Sequence, residues 1–200
     1  MDAYRLLGIA VFLLLMLSCG EEKTEKVDMP PSLATQVEKL KDTQRVQSVD
    51  QVYSNIQDIV DTSSAKKEKI AGWYTHLSDA LKEQENWELS SLALIESIRY
   101  NPTKENAPAH LIEMAQNLHL KEERLPISKA AYQAIVEYYP ESDQVKEAEQ
   151  NIAEDQPSLF SQVQDLEDKL MRQSRDSMFI NEMAAKDYIT AVQLLAAIES

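Results

Sequence analysis

The chain has 200 residues, a formal net charge of −14 and a single cysteine. The excess of 34 acids over 20 bases argues against binding to a phosphate backbone, which depends on Lys and Arg displacing counterions, and no nucleic-acid partner is expected. With only three glycines there is no glycine-rich phosphate loop, and with one cysteine there is no internal disulfide.

Residues 1–18 read as an export signal: Arg5 in a short polar start, an almost wholly apolar run from Leu6 to Leu17, then Ser18 directly before Cys19. The run is too short for a span, which takes about 20 apolar residues. Ser18-Cys19-Gly20-Glu21 resembles the cleavage site of a bacterial lipoprotein, with a small residue before the Cys and polar residues after it. That resemblance implies cleavage before Cys19, acylation of its thiol and amine, and attachment to a membrane through the N-terminal lipid. With no other thiol and no disulfide, the exported part then depends on packing alone. Residues 19–32 follow as a charged tether closed by Pro30-Pro31, with a reach of roughly 45 Å when extended.

Leu33, Val37 and Leu40 share one helical face, and Val49, Val52, Tyr53, Ile56, Ile59 and Val60 continue with similar spacing. Residues 33–61 therefore read as two helices, or one bent helix, with the break at 43–48. Thr62-Ser63-Ser64 offers an N-cap to the helix that carries Lys66 to Glu83.

From Ala71 to Lys104 the chain reads as one helical hairpin. Tyr74, Leu77 and Leu81 lie on one face of its first helix. On its second, Leu94 stands between the small Ser90 and Ser97, which lets two backbones approach closely, and Pro102 stops the hairpin. The run Tyr74-x2-Leu77-Ser78-x2-Leu81-x8-Ser90-x3-Leu94-x2-Ser97-x4-Pro102 resembles the tetratricopeptide repeat. A second copy follows. Asn106 is placed to cap a helix with Pro108 in its first turn, and Leu111, Met114, Ala115 and Leu118 repeat the first-helix pattern. Pro126 opens a helix in which Ser128, Tyr132, Ile135 and Pro140 repeat the second. Pro102 and Pro140 are 38 residues apart, where the family expects 34. The segment around Tyr139-Pro140 resembles the repeat junctions of envelope lipoproteins, including small Bacteroidota ones.

Val145, Ala148 and Ile152 make a short helix that ends near Asp155, which closes a repeat region assigned to residues 62–155. Residues 156–200 hold two more helices. Ser158 caps one with Leu159, Val163, Leu166 and Leu170 on a face, and Ser177 opens a last one through Phe179, Ile180, Tyr188, Val192 and Ile198. This last helix reads either as the cap of a solenoid or as the end of a truncated one. The class is all-α: a tetratricopeptide-like solenoid of helical hairpins with flanking helices.

No chemistry-bearing motif stands out. His76, His110 and His119 form no metal-binding pair, no calcium loop or nucleophile elbow appears, and charged runs such as Lys121-Glu122-Glu123-Arg124 read as solvated helix surface. Neither enzymatic activity, a cofactor nor a metal is expected. Trp73 and Trp87 are assigned to packing between the first hairpin and the helix of Val49–Val60.

The resemblance to tetratricopeptide arrays implies a concave face on the first helix of each hairpin. It places Thr75, Asp79 and Lys82 there in the first copy and Ile112, Gln116 and His119 in the second, with Ile112 as an apolar contact and Lys82 facing a carboxylate. The expected function is a lipid-anchored scaffold that binds an unidentified protein or peptide of the cell envelope, at the outer membrane facing the periplasm or displayed on the cell surface. Two alternatives remain open. One is a ligand-capture lipoprotein serving a transporter, and the other is an oligomerising spacer.

Overall fold

A computed structural model describes residues 28–41, 49–153, 155–176 and 182–200. Cys19, the export signal, most of the tether, the break at 43–48 and the start of the last helix at Ser177 lie outside the described residues. Those residues form an all-helical protein without a strand: α1 Pro31–Lys41, α2 Val49–Asp61, α3 Lys67–Glu83, α4 Trp87–Tyr100, α5 Ala107–Leu120, α6 Leu125–Tyr138, α7 Val145–Gln150, α8 Leu159–Asp176 and α9 Glu182–Ile198. None is long and apolar enough to cross a membrane.

Neighbours in sequence pack on one another from α3 to α7, with α1 and α2 against the start of this row. The close approach expected of α3 and α4 has a hydroxyl ladder inside it. Ser78 and Ser90, both fully buried, lie 2.8 Å apart through their Oγ atoms, and Thr75 Oγ1 lies 3.0 Å from Ser97 Oγ. Hydroxyls this small admit close helix contact while satisfying each other away from water. Helix α4 then divides the interior. Ala93 joins a core cluster with Leu33, Val37, Ile56, Val60, Trp73 and Leu77, whereas Leu94, Ile95 and Ile98 join the larger cluster with α5 to α9.

The two hairpin turns are built alike. Glu85 and Glu123 both take positive φ, 56° and 54°, the left-handed conformation that ends a helix. In each turn the residue that precedes the next helix bonds back, Asn86 N–H to the Leu81 carbonyl and Arg124 N–H to the Leu118 carbonyl. Tyr139 ties the second hairpin to the end of the first by donating its hydroxyl to the Pro102 carbonyl at 3.2 Å. Burial pushes that phenol up to about 12.

Two expected caps are differently employed. Ser63 Oγ accepts from Ala65 N–H, so the Thr62–Ser64 segment closes a local turn, and Lys66 is the residue that precedes α3 without a side-chain cap. Asn106 donates its amide to the Asn101 carbonyl, fastening the inter-hairpin loop and leaving α5 uncapped by a side chain. Short polar side chains compete for whichever backbone group lies nearest, and here a loop partner wins over the helix end. Ser158 does cap α8, accepting from Ser161 N–H.

The last helix lies against the second helix of each hairpin. α9 packs against both α4 and α6. Near its start, Lys186 and Asp187 meet Glu88 and Arg124; at its end, Glu199 meets Tyr138 and Ser200 meets the Arg99 carbonyl. It therefore runs parallel to α4 and α6 and buries Ala191, Leu194 and Ala197 against them.

Candidate binding face and its buried anchor

Of the side chains expected on a concave face, Thr75, Asp79, Lys82 and Gln116 take part in polar contacts that link α3, α5 and α7. Thr75 Oγ1 donates to the Ala71 carbonyl at 3.2 Å, as a helical threonine does, and lies 3.1 Å from His110 Nε2. Thr75 Oγ1 thus links Ser97 of α4 and His110 of α5. Burial pushes His110 below the ordinary histidine value, outweighing the attraction of Glu113 and Asp79. One turn on, Lys82 bonds Asp79 at 2.7 Å within α3 and Glu113 across on α5. Partial burial opposes its charge, but the hydrogen bonds from Asp79 and Glu113 prevail and hold its pKa above the ordinary lysine value. Gln116 repeats the contact one helix further, donating to Glu147 of α7 at 2.8 Å. Lys82–Glu113 and Gln116–Glu147 are each separated by 31 residues.

The structure thus brings Thr75, Asp79 and Lys82 together and adds two residues that sequence reasoning did not place there, His110 and Glu113. Lys82 is already committed to carboxylates of its own chain. Ile112 is half-buried and packs against the core cluster. Gln116 and His119 are exposed, His119 in the last turn of α5. No group of three His, Cys, Asp or Glu among the described residues is placed to hold a metal ion.

The strongest polar feature lies elsewhere. Arg124, which the sequence suggested was part of a solvated run, is buried, with 3% of its side chain exposed. Its Nε donates to Asp187 at 2.7 Å and a terminal nitrogen donates to Thr190 at 3.1 Å, while Glu88 stands 3.9 Å away. Lys186 closes the network at 3.3 Å from Glu88. The guanidinium fork is suited to this, since it offers several fixed donors to acceptors on separate helices. The network joins the start of α4, the turn before α6 and the start of α9. The one signal in the sequence was an acid, Asp187, at the buried spacing set by Ala191, Leu194 and Ile198.

Trp73 is buried as expected, with its indole N–H donated to the Asp28 carbonyl. Trp87 is half-buried with the Lys121 ammonium 5.3 Å from its ring centroid, a contact between the two hairpin turns. The architecture defines an all-helical protein with polar contacts linking α3, α5 and α7 and a helix docked on α4 and α6. Comparison with protein-family models, with curated proteins and with solved structures returns no match.

Proposed function

We propose that this chain is a lipid-anchored protein of the bacterial cell envelope, built on tetratricopeptide-like hairpins, that binds another envelope protein or peptide along α3, α5 and α7. It performs no chemistry of its own. The observation that carries the reading is the set of polar links along that face, in which Lys82–Glu113 joins α3 to α5 and Gln116–Glu147 joins α5 to α7. The paired left-handed Glu85 and Glu123 support a repeated unit. Attachment rests on Cys19 and its flanking residues, and the site of action is the outer membrane facing the periplasm, with surface display as the alternative.

The test uses photo-crosslinking residues at Gln116 and His119, which are exposed and leave the Lys82 ion pairs intact, and at Phe160 on α8 as a control. A protein adduct from the first two positions and none from Phe160 is expected; adducts from Phe160 alone would move the interaction off this face. In the same cells Cys19→Ser abolishes fatty-acid labelling, and label retained by the variant would refute the anchor.

One observation favours a second reading, a spacer that oligomerises through its last helix: Ile189 and Val192 on α9 are 54% and 37% exposed. Sedimentation of the full chain distinguishes the two, because Ile189→Glu dissociates an oligomer held by α9 and leaves a monomer unaltered.

A further inference from the structure

A cleft of about 240 Å³ lies between the start of α6 and the middle of α8, and it uses none of the residues that link α3, α5 and α7. Its apolar wall is Leu125 and Pro126 from the first turn of α6, Pro157 from the preceding loop and Leu166 from α8. Leu125 is 43% exposed and leaves an apolar surface open within the cleft.

Charge singles this place out. Lys129 and Lys169 both line the cleft, and neither has an ion-pair partner among the described residues. Asp165 is the one acid of the lining, so the cleft carries a net positive charge on a chain whose formal charge is −14. The end of α6 that enters the cleft is its N-terminus, where the helix dipole is positive, and no side chain caps it. Gln162, only 8% exposed, lines the cleft, and its amide is held by the Pro157 carbonyl at 2.8 Å. One N–H of that fixed amide is satisfied by Pro157, and the other is available to an acceptor.

The geometry points to a binding site for a small free carboxylate carried on a compact apolar group. The body packs against Leu125, Pro126 and Leu166, and the carboxylate meets Lys129, Lys169 and the Gln162 amide. The volume lies below the ~300–1,000 Å³ of sites for drug-sized ligands and suits something near the size of an arylalkanoic acid.

The test is equilibrium dialysis of 3-phenylpropionate against the full chain in zwitterionic nanodiscs, with empty nanodiscs as the blank. The uncharged 3-phenylpropanol is run in parallel. The acid is expected to bind at least tenfold more tightly than the alcohol. Lys129→Gln combined with Lys169→Gln is expected to weaken the acid at least tenfold, while Lys146→Gln, on α7 outside the cleft, leaves it within twofold. Circular dichroism verifies that the variants remain helical, and glutamine at these partly or fully exposed positions leaves the core untouched. Three results overturn the assignment: no binding of the acid to the parent, equal binding of acid and alcohol, or a double variant that binds the acid as well as Lys146→Gln does.

Discussion

Replacing Arg124 by Met tests how α9 is held. The guanidinium is 3% exposed and donates to Asp187 and Thr190, and the Asp187 side chain is 9% exposed. Taking away one member of such a pair leaves the other charge buried without compensation, a loss of about 3–5 kcal/mol. Against a total stability of about 5–15 kcal/mol for an ordinary domain, that is enough to release α9 locally before the rest unfolds. Ala191, Leu194 and Ala197 would then lose their cover on α4 and α6. Converting both partners, Arg124→Met with Asp187→Leu, removes the stranded charge, and most of the loss should return. Urea unfolding followed by tryptophan fluorescence reads the global cost, and amide hydrogen exchange along α9 reads the local one. The reasoning is refuted if Arg124→Met unfolds within about 1 kcal/mol of the parent, or if the double variant is no more stable than the single one.

The remaining expectations follow from packing, backbone and charge. Leu77 is fully buried, so Leu77→Ala should cost about 2–5 kcal/mol in urea unfolding, and a cost under 1 would place Leu77 outside a tight core. Glu123 sits at φ 54°, where a residue with a Cβ carries a penalty of about 1–2 kcal/mol, partly offset in Glu123→Gly by the greater entropy of unfolded glycine. That variant should gain about 0.5–1 kcal/mol, and a lowered urea midpoint would contradict it. His110 has a folded pKa below its unfolded value of 6.5, so the unfolded chain binds more protons and stability is lost as pH falls from about 6.5 through the folded pKa. His110→Asn should flatten stability measured between pH 7 and pH 5 relative to the parent; identical slopes would remove His110 as the cause.

Most of the helical plan was legible because its signals are local. Apolar spacing gives α3 to α6 their buried faces, and Ser78, Ser90 and Ser97 mark close contact because a serine at a core position leaves room for a neighbouring backbone. The polar partners were less legible. The resemblance to tetratricopeptide arrays puts Thr75 and Lys82 on one face, but not their meeting with His110 and Glu113, because those contacts depend on how α5 is set against α3. The caps offered by Asn106 and Ser63 were misassigned for a related reason: a polar side chain bonds the backbone that folding brings nearest, not the one next in sequence.

Arg124 shows where local reading ends. It follows three charged residues and resembles them, yet its partner on α9 is 63 residues away. The sequence did hold half of the answer, since an acid at the core spacing of a helix demands a buried cation or hydrogen-bond donors somewhere. What it could not hold was the docking of α9 parallel to α4 and α6, which decides that the donor is Arg124. That docking has a consequence for binding. On the proposed reading, α9 covers α4 and α6, and a partner that follows successive helices is left α3, α5 and α7. There Lys82 is neutralised from within and the Gln116 amide is given to Glu147, while the exposed His119 carries no such tie among the described residues.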